Sequence, residues 1–445
     1  MSFSPARLTA LRTTYRQGLL EQTIPFWLRH GLDHEHGGLL SALGETGTLL
    51  DSDKAVWLQG RAAWTFATLY NTVERKPEWL AAAKLCLDFI RDHCRGPGGK
   101  LYFTVTRTGE PLRMRRYVYS ECFAAIGSAA YAKATGDARA AAEAAQYFDT
   151  YLHHSFTPGV MPPKTDPATR PMQGVAPHMI AIVTAQEIRA LLGDITVRGA
   201  TCTAWIDRSI NAVERDFFKP ELGALMEIVG ANGAVLDTFD GQTLNPGHAL
   251  ECAWFILHEA KWRQRDARLM KLGLSILDGM WARGWDKEFG GLLYFTDLRQ
   301  QPVQEYWAEM KFWWPQNEAE IATLLAYQLT GEAKYAAWHT LVHDWSHRVF
   351  ADPVHGEWFG YAHRDGRIST RLKGNTWKGP FHLPRMQWYC GRLIDELIAQ
   401  GWANKGRAVP SALARRSSLD KRRRCDAFAD LRHLDSRRNR HSPPS

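Results

Sequence analysis

The sequence predicts an all-α fold, an (α/α)6 toroid in which six pairs of helices close into a ring with short β-hairpins at one end. Three observations predict it: a hairpin pattern that recurs about every 64 residues, intervening stretches with apolar residues at helical spacing, and a count of six units. An open helical solenoid is the alternative. Closure is favoured because neither end of the repeat resembles a polar capping unit.

Each unit opens with glycine, a short alternating apolar run and a second, glycine-containing turn, which is typical of a β-hairpin. Five such hairpins begin at Gly37, Gly99, Gly223, Gly290 and Gly356. The gap between the second and the third is twice the others. It predicts a degenerate unit at 159–163, where prolines interrupt the pattern.

The stretches between hairpins are long enough for two helices of ordinary length, so six units predict twelve helices. Helical spacing is clear in the runs 56–70 and 79–90. The helix directly after each hairpin is then equivalent in all six units. Six equivalent helices should converge on one cavity, where a binding pocket is expected.

The net charge of +8 belongs to the end of the chain. Of 55 Lys+Arg and 47 Asp+Glu residues, 12 and 4 lie in 404–445, which leaves 43 of each sign in 1–403. We therefore predict a neutral barrel domain over 1–403 and a basic, disordered tail over 404–445, whose removal should not affect activity. A neutral body gives no electrostatic reason to expect a nucleic-acid or membrane partner.

Cellular location is predicted from three absences in the sequence. It has no run of 18 apolar residues, its first 17 residues lack an apolar signal segment, and its seven cysteines form no CxxC pair. A soluble, cytoplasmic protein is expected.

Every one of the six equivalent segments carries an ionisable, imidazole or amide side chain beside aromatic residues near the start of a helix. Aromatic rings that stack on sugar C–H faces, with polar groups for the hydroxyls, are typical of a carbohydrate pocket. The candidate site residues in chain order are Trp57, Arg61, Glu121, His178, Asn245, His248, Glu251, Lys311, Trp313, Trp314, Gln316, Glu318, His382 and Arg385.

Nucleotide-loop, dinucleotide, zinc-protease and serine-hydrolase motifs are absent from the sequence, so chemistry without cofactor or metal is expected. His343 and His347 have metal-binding spacing, but an outer-helix position favours a surface histidine pair. Asp33, Asp286 and Asp352 open similar loops, which predicts turns capped by aspartate. Two reaction classes remain open: glycoside hydrolysis by paired carboxylates, and proton abstraction beside a carbonyl by histidines with an arginine.

Seven motifs in order resemble the N-acylglucosamine 2-epimerase family, and the likeness spans 11–398. They are 33–38, 56–61, 119–123, 245–251, 311–315, 356–361 and 381–385. The resemblance implies an (α/α)6 barrel and an isomerase of amino-sugar metabolism. This enzyme would interconvert N-acetylglucosamine and N-acetylmannosamine by C2 deprotonation of the ring-opened sugar. It further implies no required cofactor, ATP as an activator that is not consumed, and a homodimer.

The resemblance also implies roles for the site residues. His248 and His382 would be the acid/base pair on opposite faces of C2, Arg61 would stabilise the enolate, and Glu318 would contact sugar hydroxyls or aid ring opening. Glu251, one helical turn after His248, is expected to orient that imidazole. Substrate contacts are expected from Trp57, Glu121, His178, Asn245, Lys311, Trp313, Trp314, Gln316 and Arg385.

His178 and Gln316 depart from the family pattern. Both residues favour a resemblance to cellobiose 2-epimerases and aldose–ketose isomerases, which share the fold. A non-catalytic binding or regulatory protein is a further alternative, suggested by the second name of the mammalian family member, renin-binding protein.

Overall fold

The computed structural model describes residues 2–407, which form the predicted ring of helix pairs. The α-helices are α1 (Pro5–Gln17), α2 (Ile24–His30), α3 (Val56–Thr72), α4 (Pro77–His93), α5 (Tyr119–Thr135), α6 (Ala138–Phe156), α7 (Ala176–Leu192), α8 (Cys202–Ala212), α9 (Phe239–Gln242), α10 (Pro246–Trp262), α11 (Ala267–Gly284), α12 (Trp313–Thr330), α13 (Ala333–Phe350) and α14 (His382–Arg407). A π-helical turn joins α1 to α2, and another extends α8.

The strands are two or three residues long. They are β1 (Ala42–Leu43), β2 (Leu49–Asp51), β3 (Lys54–Ala55), β4 (Thr104–Val105), β5 (Pro111–Arg113), β6 (Met172–Gly174), β7 (Thr196–Val197), β8 (Ala200–Thr201), β9 (Phe218–Lys219), β10 (Ala224–Leu225), β11 (Ile228–Gly230), β12 (Thr243–Leu244), β13 (Thr296–Asp297), β14 (Lys311–Phe312), β15 (Tyr361–Ala362) and β16 (Ile368–Thr370). The predicted degenerate unit at 159–163 contains turns and no strand.

The inner ring consists of α3, α5, α7, α10, α12 and α14, and helices such as α3 and α12 are buried on nearly all sides. The ring closes because α14 contacts α12 on one side and α3 on the other. Arg385 Nη2 donates to Glu318 Oε1 at 2.7 Å, and the Trp388 indole donates to Thr72 Oγ1 at 2.9 Å. The predicted closed toroid is therefore confirmed.

The outer layer is amphipathic: α4, α6, α8, α11 and α13 each follow an inner helix and turn an apolar face towards the ring. The sixth outer position is filled by α1 and α2, from the other end of the chain. Tyr15 on α1 donates to Glu320 Oε2 on α12 at 2.8 Å, and Arg12 pairs with Asp395 on α14 at 3.6 Å. The last helix pair thus joins the two ends of the ring.

The hairpins lie at the end of the barrel where the inner helices begin. The strand that leads into an inner helix pairs with the hairpin of the following repeat, as β3 does with β4, β12 with β13 and β14 with β15. These pairings connect neighbouring repeats around the rim and fix where each inner helix starts.

The three Asp-x-x-x-Gly loops are capped turns, as predicted. Asp33 Oδ1 accepts from the backbone N–H groups of Glu35 and His36, and the aspartates at 286 and 352 accept from the equivalent positions. A buried lysine pairs with each carboxylate at 2.8–2.9 Å, Lys54 in the first loop and those at 311 and 373 in the others. The lysine holds the loop against the next hairpin.

The predicted surface position of His343 and His347 is wrong, because α13 turns this pair towards α1 and α12 and leaves His343 only 5% exposed. The predicted tail of 404–445 lies outside the described residues except for the end of α14. No helix among the described residues is long and apolar enough to cross a membrane.

Candidate active site

A cavity of about 720 Å³ opens at the hairpin end of the barrel, and all six inner helices contribute to its wall. Most of the wall is aromatic, and one side, formed by α7, is aliphatic. The lining includes Trp57, Arg61, Tyr119, Phe123, Ala176, Met179, Ile180, Val183, His248, Glu251, Phe255, Tyr294, Trp307, Trp313, Trp314, Tyr361, Trp377, His382 and Arg385. The repeat therefore brings the first turns of six distant segments together.

His248 lies in the first turn of α10. Asn245 caps this helix, and its Oδ1 accepts from the His248 backbone N–H at 3.1 Å. The imidazole Nδ1 lies 2.9 Å from Glu227 Oε1, which leaves Nε2 for a substrate. Burial alone would lower the pKa of His248, but the Glu227 carboxylate, together with the charges of Glu251 and Glu318, outweighs burial and holds this pKa above its usual value.

His382 begins α14 and is oriented in the same way by a different carboxylate. Its Nδ1 lies 2.7 Å from Glu318 Oε1, and only 8% of the residue is exposed. Burial, together with the charges of Arg61 and Arg385, holds the pKa of His382 well below its usual value. The two histidines thus have opposite pKa shifts, which is how a site keeps one base and one acid at the same pH.

Both imidazoles lie against one indole. The ring centroid of Trp314 is 5.1 Å from that of His248 and 5.8 Å from that of His382. A Cβ on Gly247 would stand 2.7 Å from the Trp314 ring, so this close approach requires glycine. The asparagine–proline–glycine–histidine motif therefore caps α10 and admits Trp314 beside its first turn.

Arg61 lines the same cavity as the two histidines and has no carboxylate partner among the described residues. Its guanidinium carbon is 4.3 Å from the Trp57 ring, 4.0 Å from the Phe123 ring and 4.8 Å from the Phe381 ring. Burial is the main cause that lowers the pKa of Arg61 to about 9, and its Nε has no hydrogen-bond acceptor in the described structure. A buried, unpaired guanidinium on the cavity wall favours an anion that forms during a reaction.

The carboxylates of Glu251 and Glu318 share one cation, Arg385. Its Nη2 donates to both at 2.7 Å, and the Trp254 indole donates to the second oxygen of Glu318 at 2.7 Å. The predicted role of Glu251 in orienting His248 is therefore not what the geometry shows, because Glu251 binds Arg385. The oxygens of both carboxylates and a nitrogen of His382 lie within 4.8 Å of one another, but both carboxylates already bond the guanidinium of Arg385.

Five predicted substrate contacts do not line the cavity. Glu121 accepts from the Leu101 backbone N–H, and Gln316 bonds the backbone of Leu292, so both hold hairpins. Lys311 pairs with the loop aspartate at 286, and the fourth, Asn245, is the cap of α10.

The fifth, His178, lies behind the wall. Its ring packs against Phe156 and Phe217, at centroid distances of 5.2 and 5.7 Å. Burial lowers its pKa to about 4.

Glu227 was missed by the sequence analysis. It follows the apolar run of the hairpin at 223–226 and precedes β11, and a charged residue that interrupts such a run was the available signal. The aliphatic strip of α7 was also missed, since its residues look like ordinary core.

The chain matches the family model described as N-acylglucosamine 2-epimerase (GlcNAc 2-epimerase) over residues 37–382. It is 34% identical to the Homo sapiens N-acylglucosamine 2-epimerase over 395 residues, 86% of this chain and 90% of the relative. It is 25% identical to a Bacteroides fragilis cellobiose 2-epimerase over 406 residues, 87% of this chain and 99% of the relative.

Solved structures show the same fold. The cellobiose 2-epimerase of Bacillus thermoamylovorans superposes with a TM-score of 0.75 at 19% identity, covering 87% of this chain and 100% of its own. A D-mannose isomerase superposes with a TM-score of 0.69 at 16% identity, covering 87% and 98%.

Proposed function

The chain belongs to the N-acylglucosamine 2-epimerase family, and from this premise we propose that it interconverts N-acetylglucosamine and N-acetylmannosamine. The observation that carries the proposal is the pair of carboxylate-bound histidines on one indole, with opposite pKa shifts, in one cavity with an unpaired arginine. Inversion at C2 needs a base on one face of the carbon and an acid on the other, which this pair supplies.

The reaction runs on the open-chain aldehyde. Neutral His382 removes the C2 proton through Nε2, and the C–H electron pair forms the C1–C2 double bond as the carbonyl electrons move to O1. The Arg61 guanidinium stabilises the resulting enolate oxygen. Protonated His248 then returns a proton to the opposite face of C2, the aldehyde re-forms, and the histidines have exchanged charge states. The reverse reaction uses the same groups in exchanged roles.

The aliphatic side of the cavity supports an N-acyl substrate. Ala176, Met179, Ile180 and Val183 follow one face of α7, and this inner helix alone contributes only aliphatic side chains to the described wall. Apolar area buried by a methyl group is favourable at about 25 cal/mol per Å². An acetamido group at C2 gains this contact and the hydroxyl of mannose does not, so N-acetylmannosamine should have the higher kcat/KM.

The test is isotope exchange in D2O with N-acetylmannosamine. We expect N-acetylglucosamine that carries deuterium at C2, and loss of this product in His248→Asn and His382→Asn. His178→Ala is the matched control, because that histidine lies outside the cavity. The proposal fails if no 2-acetamido sugar exchanges its C2 proton. It also fails if both histidine variants keep every measurable activity of the wild type, which would favour a non-catalytic binding protein.

The same experiment separates the alternatives. An aldose–ketose isomerase would convert mannose to a ketose and would lose that activity in His178→Ala. The position of His178 behind the wall gives this alternative no support. Reducing ends released from an oligosaccharide would instead indicate a glycoside hydrolase.

Family membership extends the proposal to ATP as an activator that is not consumed and to a homodimer in the cytoplasm. Rates with and without ATP, with the nucleotide analysed after the reaction, test the first. Light scattering of the full chain tests the second. No nucleic-acid partner is expected, because the charge of 1–403 is balanced.

A further inference from the structure

A second cluster of titratable side chains lies outside the cavity, where α1, α12 and α13 meet. Glu320 comes from α12, and His343 and His347 come from successive turns of α13. We propose that these three side chains form a binding site for a divalent transition-metal ion of the Zn²⁺ class. The proposed epimerase chemistry does not use this cluster, so the two proposals fail independently.

The distances suit a metal. One ligand atom from each of the three side chains lies within 4.8 Å of the others. His343 Nδ1 is 3.3 Å from Glu320 Oε2, close to the separation of about 3.3 Å between two ligands that each lie about 2.0–2.1 Å from a tetrahedral ion. Three protein ligands leave a fourth position for solvent, as in zinc sites with an open coordination position.

His347 is already held in the orientation of a ligand. Its Nδ1 lies 2.9 Å from the backbone carbonyl of His343, so Nδ1 donates and Nε2 keeps the lone pair. A hydrogen bond of this kind from the second ring nitrogen fixes the tautomer of metal-binding histidines. The ring centroids of the two histidines are 3.9 Å apart, and His347 is only half-buried, which gives an ion a path from solvent.

The buried charge of Glu320 is an observation independent of these distances. Glu320 is fully buried, and no lysine or arginine in the described part of the chain forms an ion pair with it. Its oxygens accept from the hydroxyls of Tyr15 and Ser346, at 2.8 and 2.7 Å, and Oε2 also lies 3.3 Å from His343 Nδ1. A buried carboxylate without a cation is costly, and a divalent ion held with two imidazoles supplies the missing charge.

The position of the cluster predicts what the ion does. Tyr15 connects Glu320 to the helix that closes the ring, and its hydroxyl is also 2.9 Å from His343 Nδ1. Glu318, two residues before Glu320 on the same helix, points the other way, to the cavity. A bound ion should therefore stabilise ring closure and raise Tm in proportion to the logarithm of its concentration, with little effect on kcat.

The test uses the full chain, freed of metal with a chelator and titrated with Co²⁺ or Zn²⁺. We expect one ion per chain, the visible absorption of four-coordinate Co²⁺, and a rise in Tm. His347→Gln should weaken binding more than about tenfold, a loss seen when even a residue that only supports a ligand is replaced. His154→Gln is the matched control: His154 is half-buried on α6, with Nδ1 on the backbone carbonyl of Thr150 at 3.0 Å.

The control variant should bind as the wild type does. X-ray absorption of the wild-type complex provides a readout that needs no variant, and it should show two imidazoles and no sulfur. No binding by the wild type, equal binding by His347→Gln, or a ligand set without imidazole would each overturn the proposal.

Discussion

Replacing Glu227 by glutamine tests which carboxylate controls His248. The wild-type contact joins His248 Nδ1 and Glu227 Oε1 at 2.9 Å. A hydrogen bond to a charged group contributes about 1.5–3 kcal/mol. Because 35% of the His248 side chain and 21% of the Glu227 side chain are exposed, we take the lower end of this range, about 1.5 kcal/mol. That free energy corresponds to a loss of about tenfold in kcat, since each 1.4 kcal/mol changes a rate tenfold.

The pH dependence of kcat shows in which direction the pKa of His248 changes in Glu227→Gln. The Glu227 carboxylate raises the pKa of His248, so its removal leaves burial dominant and lowers that pKa. Where protonated His248 is the acid, activity falls as pH rises through this pKa. The alkaline limb of the profile should therefore move to lower pH in Glu227→Gln.

The assay combines pH profiles of kcat with an NMR titration of the His248 ring protons. Glu251→Gln is the control that separates the two assignments of the orienting group, because Glu251 is bonded to Arg385 and acts on His248 only from a distance. It should lower the pKa of His248 less than Glu227→Gln does. Glu227 is not the carboxylate that controls His248 if Glu251→Gln shifts the His248 titration as much, or if Glu227→Gln leaves it in place.

Three further predictions concern the residues that support the site. Lys54→Ala removes one of the two cations bonded to buried Asp33 and should lower the free energy of unfolding by about 3 kcal/mol, the low end for a broken buried pair because Arg107 stays bonded. The control Lys84→Ala removes an exposed ion pair and should lower it by about 0.5 kcal/mol or less, and urea unfolding measures both changes. Gly60→Ala places a Cβ 2.4 Å from the backbone of α5 and should cost about 1–3 kcal/mol or more, whereas Gly391→Ala, with nothing within 4 Å, should be neutral or stabilising. His178→Ala should leave kcat/KM for N-acetylmannosamine nearly unchanged in a steady-state assay, and a large loss would return that residue to the site.

The fold could be predicted from the sequence because its signals are local and repeated. A hairpin pattern recurs in five of the six units and helical spacing lies between them, and the count of units favours a closed ring over an open solenoid. The partner of the last inner helix could not be found in this way. The contact of Tyr15 with Glu320 joins residues more than 300 positions apart, and no local pattern marks it. The surface assignment of His343 and His347 failed for the same reason, since α1 covers them.

The side chains near the site that recur at equivalent positions of several inner helices have a structural role. Gln59, Glu121 and Gln316 occupy equivalent places on α3, α5 and α12, and each holds the backbone of the preceding hairpin. All six segments do line one cavity, but a side chain that recurs in three of the six units serves the repeat itself and not the substrate.

The side chains that face the substrate cavity lie at positions where the repeats differ. Two residues after each of these hairpin-holding side chains, α3 has Arg61, α5 has Phe123 and α12 has Glu318, and these three face the site with a cation, a ring and an anion. His248 and His382 line the cavity, whereas His178, the third residue of α7 as His248 is of α10, packs behind the wall. A six-fold repeat builds a symmetric cavity, and a reaction that distinguishes two faces of one carbon needs that symmetry broken. The ionisable residues that only one repeat places on the cavity wall are therefore the ones that can set the direction of proton transfer, and the recurring ones keep them in place.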